Sequence, residues 1–112
     1  MIIIMARPSD SMAAAVYITN LLSEEILTVH CQSKDDDLGG HAVAVGATYH
    51  WDFGTNLRTL FWCKLAIEDK RIFFVAYDDD SREPGFGSWA ACDDRLYGMP
   101  QDRLPFLKAL WT

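Results

Sequence analysis

The side chains best suited to chemistry in this 112-residue chain are a histidine–cysteine pair, His30-Cys31, and two acidic triplets, Asp35-Asp36-Asp37 and Asp78-Asp79-Asp80. A thiol next to an imidazole suggests a nucleophile and its base, but the base has to lie within hydrogen-bond reach of the thiol proton. Residues 26 to 31 alternate, with Leu27, Val29 and Cys31 on one face of a strand and Ile26, Thr28 and His30 on the other. The imidazole therefore points away from the thiol. A zinc centre would draw on His30, His41, His50 and the three cysteines, yet neither C-x-x-C nor H-x-x-x-H spacing occurs. The acidic triplets lack the spaced oxygens and distal glutamate of an EF-hand loop, and a charge run in a turn is by default solvated. No carboxylate stands alone in an apolar segment, where burial would raise its pKa for acid–base work. The residues give no sign of catalysis, a bound metal or a cofactor.

The elements that carry these side chains read as strands. Val16 to Thr19 is short and β-rich, and Asn20 to Glu25 is a polar connection that suggests a hairpin-like start into the strand of residues 26 to 31. Lys34 to Gly40 reads as an acidic loop, because adjacent carboxylates repel one another and Gly39-Gly40 offers a turn backbone. His41 to Val45 is a third strand. In the fourth, Thr48 to Phe53, the residues Tyr49, Trp51 and Phe53 share one face and His50 and Asp52 the other. Leu60 to Ile67 is a fifth, with Phe61, Cys63, Leu65 and Ile67 on one side, and Arg71 to Tyr77 a sixth, apolar on both faces and so expected to be central. Asp78 to Ser88 combines acids, Pro84 and two glycines in a long exposed loop. Trp89 and Leu96-Tyr97 mark a further hairpin, and Leu104 to Trp111 is a final apolar segment, the one place where a helix is conceivable.

Many short strands with turns every eight to twelve residues predict an all-β fold, a small antiparallel β-sandwich of about seven or eight strands. The domain is expected over residues 14–112, with 1–13 a disordered leader or signal remnant. Half the residues are hydrophobic and 23% are charged, which places the chain well outside the disordered regime. A net charge of −6 with no Lys/Arg cluster argues against nucleic acid or an anionic membrane surface as partner. The opening Met1 to Arg7 has about six apolar residues before its first charge, short of the roughly 7–15 of a secretory core segment. No run approaches the roughly 18 apolar residues of a membrane-spanning helix, so no membrane insertion is expected.

Cys31 and Cys63 each lie on the apolar face of their strand. They read either as a disulfide between two core-facing cysteines or as two buried free thiols. The loop from Asp78 to Ser88, with Asp78, Asp79, Asp80 and Arg82, has the length and mixed character of a recognition loop, although a merely solubilising loop fits it equally well.

The run Leu27-Thr28-Val29-His30-Cys31-Gln32-Ser33-Lys34-Asp35-Asp36-Asp37-Leu38-Gly39 resembles the L-T-hydrophobic-H-C-x-S-K-D-D-D-L-G signature of the plant self-incompatibility protein family, the S-protein homologues. The similarity continues through Val16 to Asn20, Tyr49 and Phe53, Thr59 to Cys63, Phe73 to Tyr77, Trp89, Leu96-Tyr97 and Trp111. The resemblance implies a secreted, extracellular plant β-sandwich that is not an enzyme and acts as a protein ligand of a membrane receptor or other extracellular protein. Pollen–pistil self-incompatibility or related cell–cell signalling is the implied role, with a monomer favoured. Exposed hydrophilic loops are the family's recognition elements, which makes Asp78 to Arg82 the first candidate contact and Asp35, Asp36 and Asp37 the second. The family's disulfides implicate Cys31 and Cys63, which match its cysteine columns.

The family's further cysteines, before the tryptophan equivalent to Trp89 and near the C-terminus, have no counterpart here, and Cys92 falls outside the expected column. A second full bridge is not expected. A reading from another class is a carbohydrate-binding or hydrolytic β-sandwich that uses Tyr49 and Trp51 as an aromatic platform. It requires those rings to be exposed.

Overall fold

The computed structural model describes residues 13–54, 59–79, 87–101 and 103–112; the expected leader lies almost wholly outside them. Among the described residues nine strands run in chain order: β1 (Ala13–Asn20), β2 (Leu27–Gln32), β3 (Asp37–Val43), β4 (Thr48–Gly54), β5 (Leu60–Ile67), β6 (Lys70–Asp78), β7 (Ser88–Ala91), β8 (Arg95–Gly98) and β9 (Phe106–Leu110). They form two sheets, one ordered β4-β1-β7-β8-β9 and the other β3-β2-β5-β6. All pairings are antiparallel except β1 with β7. The fold is the expected all-β sandwich, and no helix occurs among the described residues.

Side-chain parity decides which face of each strand goes inward. Leu27, Val29 and Cys31 of β2 are fully buried and meet Phe61, Cys63, Leu65 and Ile67 of β5 in the same core. Val16 and Ile18 of β1 close the core from the opposite sheet. Each such aliphatic residue stabilises the fold by about 1.5–3 kcal/mol through burial. Cys31 and Cys63 are direct partners in the β2–β5 register and form a disulfide. Trp89 of β7 packs edge-on against Phe74 of β6 and donates its indole N–H to the Ala76 carbonyl 3.1 Å away, a hydrogen bond between the two sheets.

Four expectations change. First, β1 and β2 do not form a hairpin but belong to different sheets, and β1 pairs instead with β4 and β7. Second, the acidic loop is shorter than its composition suggests, because Asp37 to Gly40 already pair with β2 as the start of β3. A register shift between His30 and Gln32 and a left-handed backbone at Gly39 (φ 78°) absorb the irregularity, as a bulge does. Third, β6 is an edge strand rather than a central one. Ile72, Phe74 and Ala76 face the core, while Phe73 and Val75 lie on the outer face, where the Lys64 ammonium sits 5.9 Å from the centre of the Phe73 ring. Fourth, the C-terminal apolar segment is a strand, and Thr112 exchanges two backbone hydrogen bonds with Arg71 beyond its end.

Asn20, at the end of β1, is the one fully buried polar side chain among the described residues. Its amide donates to the carbonyls of Glu25 and Val43, both at 2.9 Å, and its oxygen accepts from the Leu22 N–H at 2.8 Å. Its backbone bonds Ala47 and Gly46. Two of the four crossings between the sheets, from β1 to β2 and from β3 to β4, are thus fastened at this residue.

Replacing Asn20 by Ala leaves those groups buried without partners and is expected to cost roughly 3 kcal/mol or more. Asn20→Asp, although similar in shape, loses both donated bonds and is expected to cost at least as much; chemical denaturation of the two variants checks this. Removing the bridge with Cys31→Ala and Cys63→Ala together is expected to cost about 3–4 kcal/mol by loop-closure entropy. Denaturation of the wild-type chain with and without reductant should match that loss.

Candidate functional site

The two acidic stretches lie at the same end of the sandwich, each beside the start of β5. The turn Ser33 to Asp36 joins β2 to β3 and is closed by two internal hydrogen bonds, Ser33 N–H to the Asp36 carbonyl at 2.7 Å and Asp36 N–H to the Ser33 hydroxyl at 3.1 Å. Across from it stand the end of β4 and the start of β5. Between them lies a cavity of about 470 Å³, bounded by Lys34, Asp35 and Asp36 on one side and by Phe53, Thr59, Phe61 and Trp62 among others on the other. Thr59 is tied in turn to the second acidic stretch. Its N–H donates to the Asp79 carboxylate at 3.1 Å, and its carbonyl accepts from the Asp79 N–H at 3.0 Å.

The acids divide into two kinds. Asp79 also accepts the Tyr77 hydroxyl at 2.6 Å, so its carboxylate anchors the end of β6 to the start of β5. Asp37 accepts the Gly39 N–H at 2.9 Å and lies 2.6 Å from His30 Nε2; chiefly the Gly39 bond, and then the His30 bond, hold its pKa below the ordinary carboxylate value. Asp78 pairs with Leu60 in the β5–β6 ladder. Asp35 and Asp36 are exposed, and among the described residues nothing bonds their carboxylates. Asp80 and Arg82 lie outside the described residues. Of the acids singled out in the sequence, Asp37 and Asp79 therefore have structural work, which their residue type did not reveal.

The remaining candidates are accounted for within the sheets. His30 and Cys31 face opposite ways, the first toward Asp37 and the second into the bridge. His41 stacks on Tyr49 with ring centres 4.5 Å apart, and His50 on Tyr17 at 5.3 Å. Cys92 is a free, half-buried thiol whose pKa is raised first by burial and then by Asp94 and Asp93, so it stays protonated at neutral pH. Among the described residues no three His, Cys, Asp or Glu side chains gather closely enough to hold a metal ion.

Tyr49, Trp51 and Phe53 form a tilted row that packs against the core and continues to Phe61 and Tyr77. The row closes the side of the sandwich where the edge strands β3 and β4 face each other. The Trp51 indole nitrogen is buried without a partner among the described residues. Rings held in this way do not present the flat, open face that a sugar platform needs. The cavity and its aromatic wall were not anticipated from the sequence, because Phe53, Phe61 and Trp62 come together only through sheet pairing.

Comparison with known proteins follows from this geometry. The model of a family described as plant self-incompatibility protein S1 matches residues 15–111. S-protein homolog 5 of Arabidopsis thaliana is 40% identical over 92 residues, covering 80% of this chain and 67% of that protein. S-protein homolog 27 of the same plant is 36% identical over 100 residues, covering 79% and 64%. S-protein homolog 28, also from Arabidopsis thaliana, is 44% identical over 81 residues, covering 68% and 54%. The chain thus spans between 54% and 67% of the lengths of these relatives. One solved chain, described as a self-incompatibility protein homologue from a widespread family of small, highly stable, secreted plant proteins, shares the fold, with a TM-score of 0.71. It is 22% identical, and the match covers 89% of this chain and 95% of that one.

The division of the acids is tested by stability. Asp79→Ala is expected to lower stability by about 1–3 kcal/mol, because the Thr59 N–H and Tyr77 hydroxyl lose their acceptor. Asp35→Asn with Asp36→Asn is expected to leave it within about 0.5 kcal/mol, as for exposed side chains without partners. Urea denaturation of both variants distinguishes the two roles.

Proposed function

The chain belongs to the plant self-incompatibility protein S1 family, and on that premise we propose that it is secreted and acts without catalysis, as an extracellular protein ligand. Its partner is a membrane receptor or other extracellular protein, and its role is pollen–pistil self-incompatibility or related cell–cell signalling. The observation that carries this reading is the placement of both acidic stretches at one end of a disulfide-bridged sandwich. A disulfide between neighbouring strands suits an oxidising compartment. Recognition surfaces on small β-sandwiches commonly sit on loops held by a rigid scaffold, and the Asp79 anchor and the closed Ser33–Asp36 turn provide that rigidity. The engagement of His30, His41 and His50 within the sheets is also consistent with a binding protein.

Two measurements test the proposal. Protein isolated from the plant is expected to show one bridge and one free thiol by intact mass before and after reduction and alkylation. Three free thiols would overturn secretion. Labelled protein is expected to bind plant plasma-membrane vesicles saturably, and proteolysis of the vesicle surface should abolish binding. Non-saturable binding that survives proteolysis would remove a protein receptor from the account.

A further inference from the structure

The edge of the second sheet at β6 is paired over only its first residues. Arg71 exchanges both its backbone hydrogen bonds with Thr112, each at 3.0 Å, so its N–H and C=O point away from β5. Backbone direction repeats every second residue along an antiparallel strand, and the register shift between β5 and β6 comes only beyond the pair Trp62–Val75. The N–H and C=O of Phe73 and Val75 therefore point the same way as those of Arg71. Nothing among the described residues bonds them. Thr112 occupies the first slot along this edge, and the next two have no strand beside them.

The outer face beside those slots is apolar and cationic. Phe73 is 70% exposed and Val75 39%. In the ladder Lys64 stands opposite Phe73 and the half-buried Trp62 opposite Val75, while Arg71 is the next outward residue along β6. The Lys64 ammonium lies 5.9 Å from the centre of the Phe73 ring. Among the described residues no carboxylate pairs with Lys64 or Arg71, although the chain has 16 acidic residues to 10 basic ones. Two cations far apart in the sequence are thus brought together, without counter-charges, at the one edge whose backbone is unused.

We propose that β6 receives an extended acidic segment of the protein partner as an added antiparallel strand. The inference rests on the reading of the chain as a ligand for a protein, and it names where and by what chemistry that protein is held. Main-chain bonds to Phe73 and Val75 supply the attachment, and alternate side chains of the segment supply the preference. The pattern is apolar-x-acidic: an apolar residue beside Val75, then an acid beside Phe73, diagonal to Arg71 and within reach of Lys64. Other occupants fit less well. A broad anionic surface is repelled by the net charge of −6, whereas a narrow segment meets only this face. An acidic sugar polymer satisfies the cations but has no use for the edge backbone. A second copy of β6, paired with Phe73 opposite Val75, brings its Tyr77 to the slot that Thr112 occupies.

The test follows backbone amide shifts and hydrogen exchange in the oxidised full chain at physiological salt. In the free chain the Phe73 and Val75 amides are expected to exchange fast, and those of Ile72 and Phe74 slowly. The capped peptide Thr-Val-Thr-Glu-Thr is expected to shift and protect Phe73 and Val75. Replacing its glutamate by lysine should weaken binding, and N-methylation of its valine and glutamate should abolish it. Lys64→Ala with Arg71→Ala, both exposed, should weaken the acidic peptide about tenfold, a loss of about 1.4 kcal/mol. Slow exchange at Phe73 and Val75 in the free chain, no peptide binding, equal binding of the N-methylated or lysine peptide, or equal binding by the double variant would each overturn the proposal. So would an oligogalacturonate that binds where the peptide does not, which assigns the face to an acidic sugar. Protection that grows with protein concentration alone would give the edge to a second copy.

Vesicle binding separates this proposal from the one beneath it. If the double variant binds plasma-membrane vesicles as well as the wild type, the partner reading stands and the added strand falls. If the wild type fails to bind vesicles, the partner reading falls and the peptide titration decides the edge by itself.

Discussion

The fold depends on the buried amide of Asn20. A two-sheet sandwich must pass its chain from one sheet to the other, and at each crossing backbone groups leave the ladders that satisfied them. Here two crossings run past one side chain, which donates to Glu25 and Val43, accepts from Leu22, and bonds the β3–β4 turn through its own backbone. An aliphatic residue of the same size would bury as much surface but leave those groups without partners, and that loss exceeds what burial returns. The amide ties the end of β1 to both neighbouring crossings, next to the core that Val16 and Ile18 share with Val29 and Leu65.

With the crossings fixed, the two open sides of the sandwich are sealed by different means. On the β3–β4 side the row of Tyr49, Trp51 and Phe53, with His41 stacked at its start, fills the gap between unpaired edges. On the β6–β9 side the seal is the backbone pairing of Arg71 with Thr112, together with the indoles of Trp89 and Trp111, each bonded to a carbonyl. The Cys31–Cys63 bridge joins two neighbouring strands of one sheet, so its contribution lies in restricting the unfolded chain and not in joining the layers.

The acidic end shows how a surface gains a fixed shape. Asp37 and Asp79 have their carboxylates held by N–H and hydroxyl donors and by His30, and these contacts set the geometry of the turn and of the β5 start. Asp35 and Asp36 are left to face the solvent across an aromatic wall. Carboxylates of one residue type thus serve as scaffold and as surface within a few ångströms, and only their donors tell them apart.

Much of this was legible in the chain. Alternation placed Leu27, Val29 and Cys31 inward, along with Phe61, Cys63 and Leu65, and it separated His30 from its neighbour Cys31, because parity is local and a strand has only two faces. The run from Leu27 to Gly39 also carried the family resemblance, so fold class and family were available before any coordinates. What the chain did not disclose is which strands meet. The pairing of β1 with β7 across most of the sequence, the edge position of β6, and the cavity shared by Asp35, Phe53 and Trp62 all depend on contacts distant along the chain. The apolar pattern of Arg71 to Tyr77 reads the same for a central strand as for an edge strand with Phe73 and Val75 outward. Local pattern specifies a face; the neighbour across it is chosen by the packing of the whole chain, and that choice was made by the tertiary structure alone.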